Sequence, residues 1–143
     1  MTFSEKSLER LSTCHADLQL VMNTAIGISR VDFGISEGHR TVERQQELYN
    51  AHSDLTECDG IIIKSKHNYE PSRAVDIYAW ENGKKTYRLE VMTYLGGLIE
   101  GVSGMLHAAK QINHRIRWGG NFDMDGIIIE KHSFIDTPHF ELI

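Results

Sequence analysis

Ala74-Val75-Asp76-Ile77-Tyr78-Ala79-Trp80 is the stretch on which the fold turns. Its alternation puts Val75, Ile77 and Ala79 on one face and Ala74, Asp76, Tyr78 and Trp80 on the other, the period of a strand with one face on a core. Asn82-Gly83 follows as a hairpin turn signal. Further on, Leu89, Met92, Leu95, Leu98, Ile99, Val102, Met105, Leu106 and Ala109 recur at helical spacing and predict a long helix from Arg88 to Lys110. That helix carries Gly96, Gly97, Gly101 and Gly104, each costing up to about 1 kcal/mol against Ala, so it either packs closely on a neighbour or breaks. Ile116-Arg117-Trp118 reads as a short strand before Gly119-Gly120, and Phe140 and Leu142 alternate against His139 and Glu141 in a last one.

On the N-terminal side, Val31 to Ser36 predicts a short strand leading to a turn at Gly38, and a helix starts near Thr41 and runs through Tyr49. Leu8, Leu11, Leu18, Val21, Met22 and Ala25 predict one amphipathic helix, capped by Ser4 and ended by Gly27. Asp54 to Gly60 is loop-like, and Ile61-Ile62-Ile63 is too short to tell strand from buried turn. The order of these pieces implies an α+β domain with helices packed on a small, mostly antiparallel sheet.

A chain of 143 residues holds one domain with a real core, so residues 1–143 are expected to form a single domain. Fifteen Lys/Arg against twenty Asp/Glu leave a formal charge of −5, which argues against a nucleic-acid partner. The 41% apolar and 24% charged content is that of a soluble globular protein and excludes disorder. No run approaches the roughly 20 apolar residues of a membrane span, and Met1-Thr2-Phe3-Ser4-Glu5-Lys6 lacks a secretory signal, so cytoplasmic synthesis is expected. Cys14 and Cys58 make no disulfide framework and have no zinc-finger spacing. Eight histidines are the anomaly.

Two strands each offer one ligand opposite their apolar residues: Asp76 between Val75 and Ile77, and His139 before Phe140. If both belong to one sheet over one core, these two side chains face the same open side. His67, in Ser65-Lys66-His67-Asn68, lies nine residues before Asp76 and can reach that side by a loop. Two imidazoles and a carboxylate with an open fourth position are what a catalytic zinc requires. Hydrolysis also wants a carboxylate to move a proton, and Asp136 lies three residues before His139 with Pro138 stiffening the link. Arg40, at the turn after Gly38-His39, supplies a fixed cation for an oxyanion. Each has a plainer reading: Asp76 facing water, Asp136 as a turn residue, Arg40 paired with Glu43 or Glu37. His15, His39, His52, His107, His114 and His132 stay unassigned.

Taken in order, Ser36-Glu37-Gly38-His39-Arg40 with Gln45, Ser65-Lys66-His67, Ala74-Val75-Asp76, Trp118-Gly119-Gly120 and Asp136-Thr137-Pro138-His139-Phe140 resemble the phage L-alanyl-D-glutamate peptidases. These are cell-wall endolysins related to the D-alanyl-D-alanine carboxypeptidases and dipeptidases. The resemblance runs from about Phe33 to the C-terminus and implies a D-Ala-D-Ala carboxypeptidase/Hedgehog-like fold. It implies His67, Asp76 and His139 as zinc ligands, Asp136 as general base, and Arg40 as the residue steadying the substrate carbonyl. A monomer without a separate cell-wall-binding domain is expected from the chain. Such an enzyme builds up in the host cytoplasm and reaches the peptidoglycan stem peptide through a separate hole-forming protein. The same chemistry on D-Ala-D-Ala, or a non-catalytic zinc-holding module, are the rival readings.

One departure stands out. The family spacing Ser-x-His-x-x-Gly-x-Ala-x-Asp has seven residues from His to Asp. Here His67 to Asp76 spans nine, with Ser72 where Gly is expected. Separately, Asn121-x-Asp123-x-Asp125-Gly126 matches the first half of a calcium loop, but position twelve is His132 rather than a bidentate Glu. A solvated acidic turn is the stronger reading of that segment, and calcium the lesser one.

Overall fold

The computed structural model describes residues 1–51, 56–127 and 135–143. Its elements are α1 (Glu5–Leu11), α2 (Ala16–Ile28), β1 (Phe33–Glu37), α3 (Val42–Ala51), a 3-10 turn (Lys66–Asn68), β2 (Ala74–Glu81), β3 (Lys84–Thr86), α4 (Leu89–Ala108), β4 (Ile116–Trp118) and β5 (His139–Leu142). The sheet order is β1-β2-β5-β4, with β3 added to β2 as a hairpin, and every pairing is antiparallel. Asn82 and Gly83, both at positive φ, make that hairpin turn. The α+β architecture expected from the sequence is the one observed.

The alternation in β2 works as read. Val75, Ile77 and Ala79 are fully buried, and they meet Leu18, Val21 and Met22 of α2 and Met92, Leu95 and Ile99 of α4 in one apolar cluster. Each large aliphatic side chain so buried contributes roughly 1.5–3 kcal/mol. Helices thus cover one face of the sheet, and the other face is left for chemistry. Gly96 shows what one of the α4 glycines is for: a Cβ there would lie 2.5 Å from the Trp118 ring. Gly97 and Gly101 meet nothing within 4 Å, so close packing does not account for them.

Three expectations need correction. The single N-terminal helix is two, because α1 ends at Leu11 and His15 caps a new helix by accepting Asp17 N–H at 3.1 Å. Residues 13–15 instead exchange rungs with the loop before β2, His15 N to Ser72 O at 2.8 Å and Ser72 N to Thr13 O at 2.9 Å. Gly27 lies inside α2, which runs to Ile28. Ile61-Ile62-Ile63 is neither strand nor buried turn; the three are 63%, 86% and 50% exposed, on a turn where Asp59 Oδ1 accepts all three of their N–H groups. β5 is buried at all four positions, and His139 and Glu141 form the floor of a cleft that Asp76 also lines. Among the described residues no helix is long and apolar enough to cross a membrane.

Candidate metal centre

Asp76 and His139 are register partners across the β2–β5 ladder. Residues directly opposite in an antiparallel pair share a face, so both side chains rise from the floor away from the helices. His67 comes from the 3-10 turn, whose backbone is fixed by a capping box between Ser65 and Asn68. The backbone locks the turn further, with Arg40 N donating to His67 O at 2.8 Å and Arg73 N to Lys66 O at 3.0 Å. The longer His67–Asp76 loop is therefore not loose: Ser72 is fully buried and its hydroxyl donates to Ala74 O at 2.7 Å.

The protons of the two imidazoles follow from their outer partners. His67 Nδ1 lies 2.7 Å from Gly38 O, and a carbonyl can only accept, so Nδ1 carries the hydrogen and Nε2 presents a lone pair. His139 Nε2 lies 3.0 Å from Glu141 Oε2, so in the neutral ring Nε2 carries the hydrogen and Nδ1 presents the lone pair. These two nitrogens and Asp76 Oδ1 form a triangle with edges of 3.2, 3.2 and 3.1 Å. Three such donors so close need a proton or a metal cation among them. Ligands about 2.0–2.1 Å from a tetrahedral ion stand about 3.3 Å apart, so the donor set fits a small divalent metal.

The electrostatics favour positive charge at this point. Burial alone would raise the Asp76 carboxyl, but its hydrogen bonds with His139 and His67 hold it well below the usual carboxylate range. Burial alone would lower His139, but Asp76 and Glu141 push it up to about 9. Glu141 is the functional residue that sequence reasoning missed. Burial would raise it, yet its bonds with His139 and Arg117 bring it down to about 2. It fixes the ring tautomer of His139, a carboxylate–histidine arrangement that makes the imidazole a better ligand. Arg117 closes the chain by pairing with Glu141 and donating to Phe122 O at 3.0 Å. The signal was available in the period of two, which places Glu141 on the same face as His139.

Arg40 and Asp136 line the same cleft of about 550 Å³ as the triangle. Arg40 forks onto Glu37, with Nη2 to Oε2 at 2.8 Å, and donates from Nη1 to Gln45 Oε1 at 2.9 Å. Its partner is Glu37 rather than Glu43, and it remains 3.8 Å from Asp76 Oδ2. The Asp136 backbone is tied to Gly119 O at 2.9 Å and to His139 N at 3.1 Å. Burial, reinforced by the charge of Asp76, raises its carboxyl above the ordinary value, towards that of a usable proton acceptor. Gly119 permits this approach, since a Cβ there would lie 2.1 Å from Asp136 O.

Other candidates do not join the site. His15, Asp17 and His114 form a second cluster. There His15 Nδ1 accepts Asp17 N–H, while Asp17 Oδ2 accepts His114 Nδ1 at 2.8 Å and the backbone N–H of Asn113 and His114, both at 3.0 Å. Its lone pairs already face hydrogens, so it reads as a clamp between α2 and the segment before β4. His39 meets Glu70 at 3.3 Å, and His107 sits in the last turn of α4. In the acidic turn, Asn121 Oδ1 and Asp125 Oδ1 accept Gly126 N and Ile127 N at 3.2 and 2.7 Å. Its oxygens thus serve their own backbone. His52 and His132 lie outside the described residues, and with His132 the last position of the calcium pattern.

A sequence profile described as phage L-alanyl-D-glutamate peptidase matches residues 1–143. The chain belongs to this family. It is 29% identical over 145 residues to the L-alanyl-D-glutamate peptidase of Escherichia phage T5, an alignment covering 99% of this chain and 97% of that protein. The crystal structure of the Serratia marcescens L-Ala D-Glu endopeptidase ChiX superposes with a TM-score of 0.75 at 26% identity, over 100% of this chain and 90% of the other. The chain is therefore a peptidase, and its metal-capable triangle lines a cleft.

Proposed function

We propose that this chain is an endolysin that hydrolyses the L-Ala–D-Glu amide of the peptidoglycan stem peptide, with one zinc ion held by His67, Asp76 and His139. The observation that carries this reading is the triangle of three potential metal donors with edges of 3.1–3.2 Å, beside Asp136 in one cleft. A zinc ion there would supply Lewis acidity, lowering the pKa of water to about 7 and polarising the scissile carbonyl. Asp136, raised by its burial, takes a proton from the attacking water and returns it to the departing amine. Arg40, held by Glu37 and Gln45, directs its remaining N–H groups at the carbonyl oxygen as charge builds there. Glu141 holds the His139 ring in place throughout.

The enzyme works as a single domain and a monomer, accumulates in the host cytoplasm, and meets its substrate once a separate hole-forming protein lets it through. Digestion of purified sacculi with and without a chelator, followed by mass spectrometry of the released muropeptides, tests the reading. New amino-terminal D-Glu that disappears on chelation and returns with zinc is expected. Cleavage only at D-Ala-D-Ala, or release indifferent to the chelator, overturns it.

A further inference from the structure

Resting on the L-Ala–D-Glu reading, we propose that Lys66 receives the free α-carboxylate of the D-glutamate on the leaving side of the scissile bond. In the stem peptide that glutamate continues through its γ-carboxyl, so its α-carboxylate stays free, two bonds from the scissile nitrogen. The substrate thus brings an anion to a cleft whose lining already includes Asp76, Asp136 and Glu141. Like charges at such range repel unless a cation receives the newcomer.

The cleft's basic residues are Arg40, Lys64 and Lys66. Arg40 is committed to Glu37 and Gln45. Among the described residues, neither lysine has a carboxylate within ion-pair distance. Lys64 is exposed and leans over the Tyr69 ring at 5.8 Å, towards the outside. Lys66 is half-buried beside His67, and its backbone is pinned within the 3-10 turn. Its Nζ donates to Leu142 O at 3.3 Å, which orients the ammonium and leaves two N–H bonds for a carboxylate. A half-buried ammonium satisfied by one neutral carbonyl gains most from an arriving anion, and being already oriented it loses little entropy on binding.

The test uses two muropeptides identical except that one carries D-glutamate and the other its α-amide, D-isoglutamine. The wild-type enzyme is expected to favour the acid in kcat/KM, mainly through KM. Lys66→Met should cut the acid-over-amide ratio by about tenfold, as for loss of one charge-assisted hydrogen bond, and Lys66→Arg should retain most of it. Thermal unfolding of each variant checks that the fold survives. A wild type that treats acid and amide alike, or a Lys66→Met variant that keeps the wild-type ratio, overturns the role of Lys66 while leaving the bond assignment standing. A wild type that cuts neither peptide overturns both.

Discussion

Glu141 touches nothing that reacts, yet it decides which nitrogen His139 offers. Replacing it with Ala frees the ring, and the affinity for zinc, read by competition with a chelating dye, is expected to fall about 10- to 100-fold. Glu141→Gln keeps an acceptor for the ring N–H and should lose less. Asp136→Asn addresses a different role: kcat on muropeptides should fall by about 10²–10⁴ while bound zinc stays stoichiometric. Asp76 and His139 were legible because a period of two sorts a strand into faces. Glu141 obeyed the same rule, which places it on the face of His139, but its role as the partner of that ring follows only from the hydrogen bond between them. The choice of Glu37 over Glu43 as the partner of Arg40 was equally out of reach, since it depends on where β1 ends and α3 begins.

Helix α4 carries glycines of two kinds, and substitution should separate them. Gly96→Ala drives a methyl into Trp118 and is expected to cost about 1–3 kcal/mol. Gly97→Ala and Gly101→Ala enter open space in a helix and should each stabilise by up to about 1 kcal/mol; urea unfolding measures all three. The helix was plain from its periodicity, whereas the division among its glycines depends on what lies across from them. The break between α1 and α2 was hidden for a related reason. Leu11 and Leu18 are seven residues apart, two helical turns, so the apolar stripe stays in phase across the gap. At that break Asp17 clamps the segment at Asn113 and His114. Burial would raise its carboxyl, but the His114 side chain and the two backbone N–H groups hold it below the ordinary value. A depressed folded-state pKa gives stability that is complete above the unfolded value, about 3.9, and is lost as pH falls through the folded one. Asp17→Asn should therefore be less stable than wild type near pH 6, the difference closing progressively below pH 4 in unfolding titrations.

For the molecule as a whole, a metal held at the triangle would be linked to the fold, because the three donors come from the 3-10 turn, β2 and β5. The unfolding midpoint should rise with zinc concentration, by the mass-action rule for any ligand that binds only the native state. In His67→Ala that dependence should flatten. The α+β class followed from patterns along the chain, and the structure brings the candidate ligands His67, Asp76 and His139, which the family resemblance singled out, into one cleft with Arg40 and Asp136. The burial of His139 and Glu141 did not follow from such patterns, since it depends on Phe122 lying against the His139 ring and on Arg117 pairing with Glu141. Among the described residues β4 reaches the rest of the sheet only through β5, and β5 brings His139 to Asp76 in the same set of rungs. Closing the sheet and assembling the donor triangle are thus one event. A molecule in which this strand has not yet docked lacks the third corner of the triangle, so undocked copies should hold no metal there.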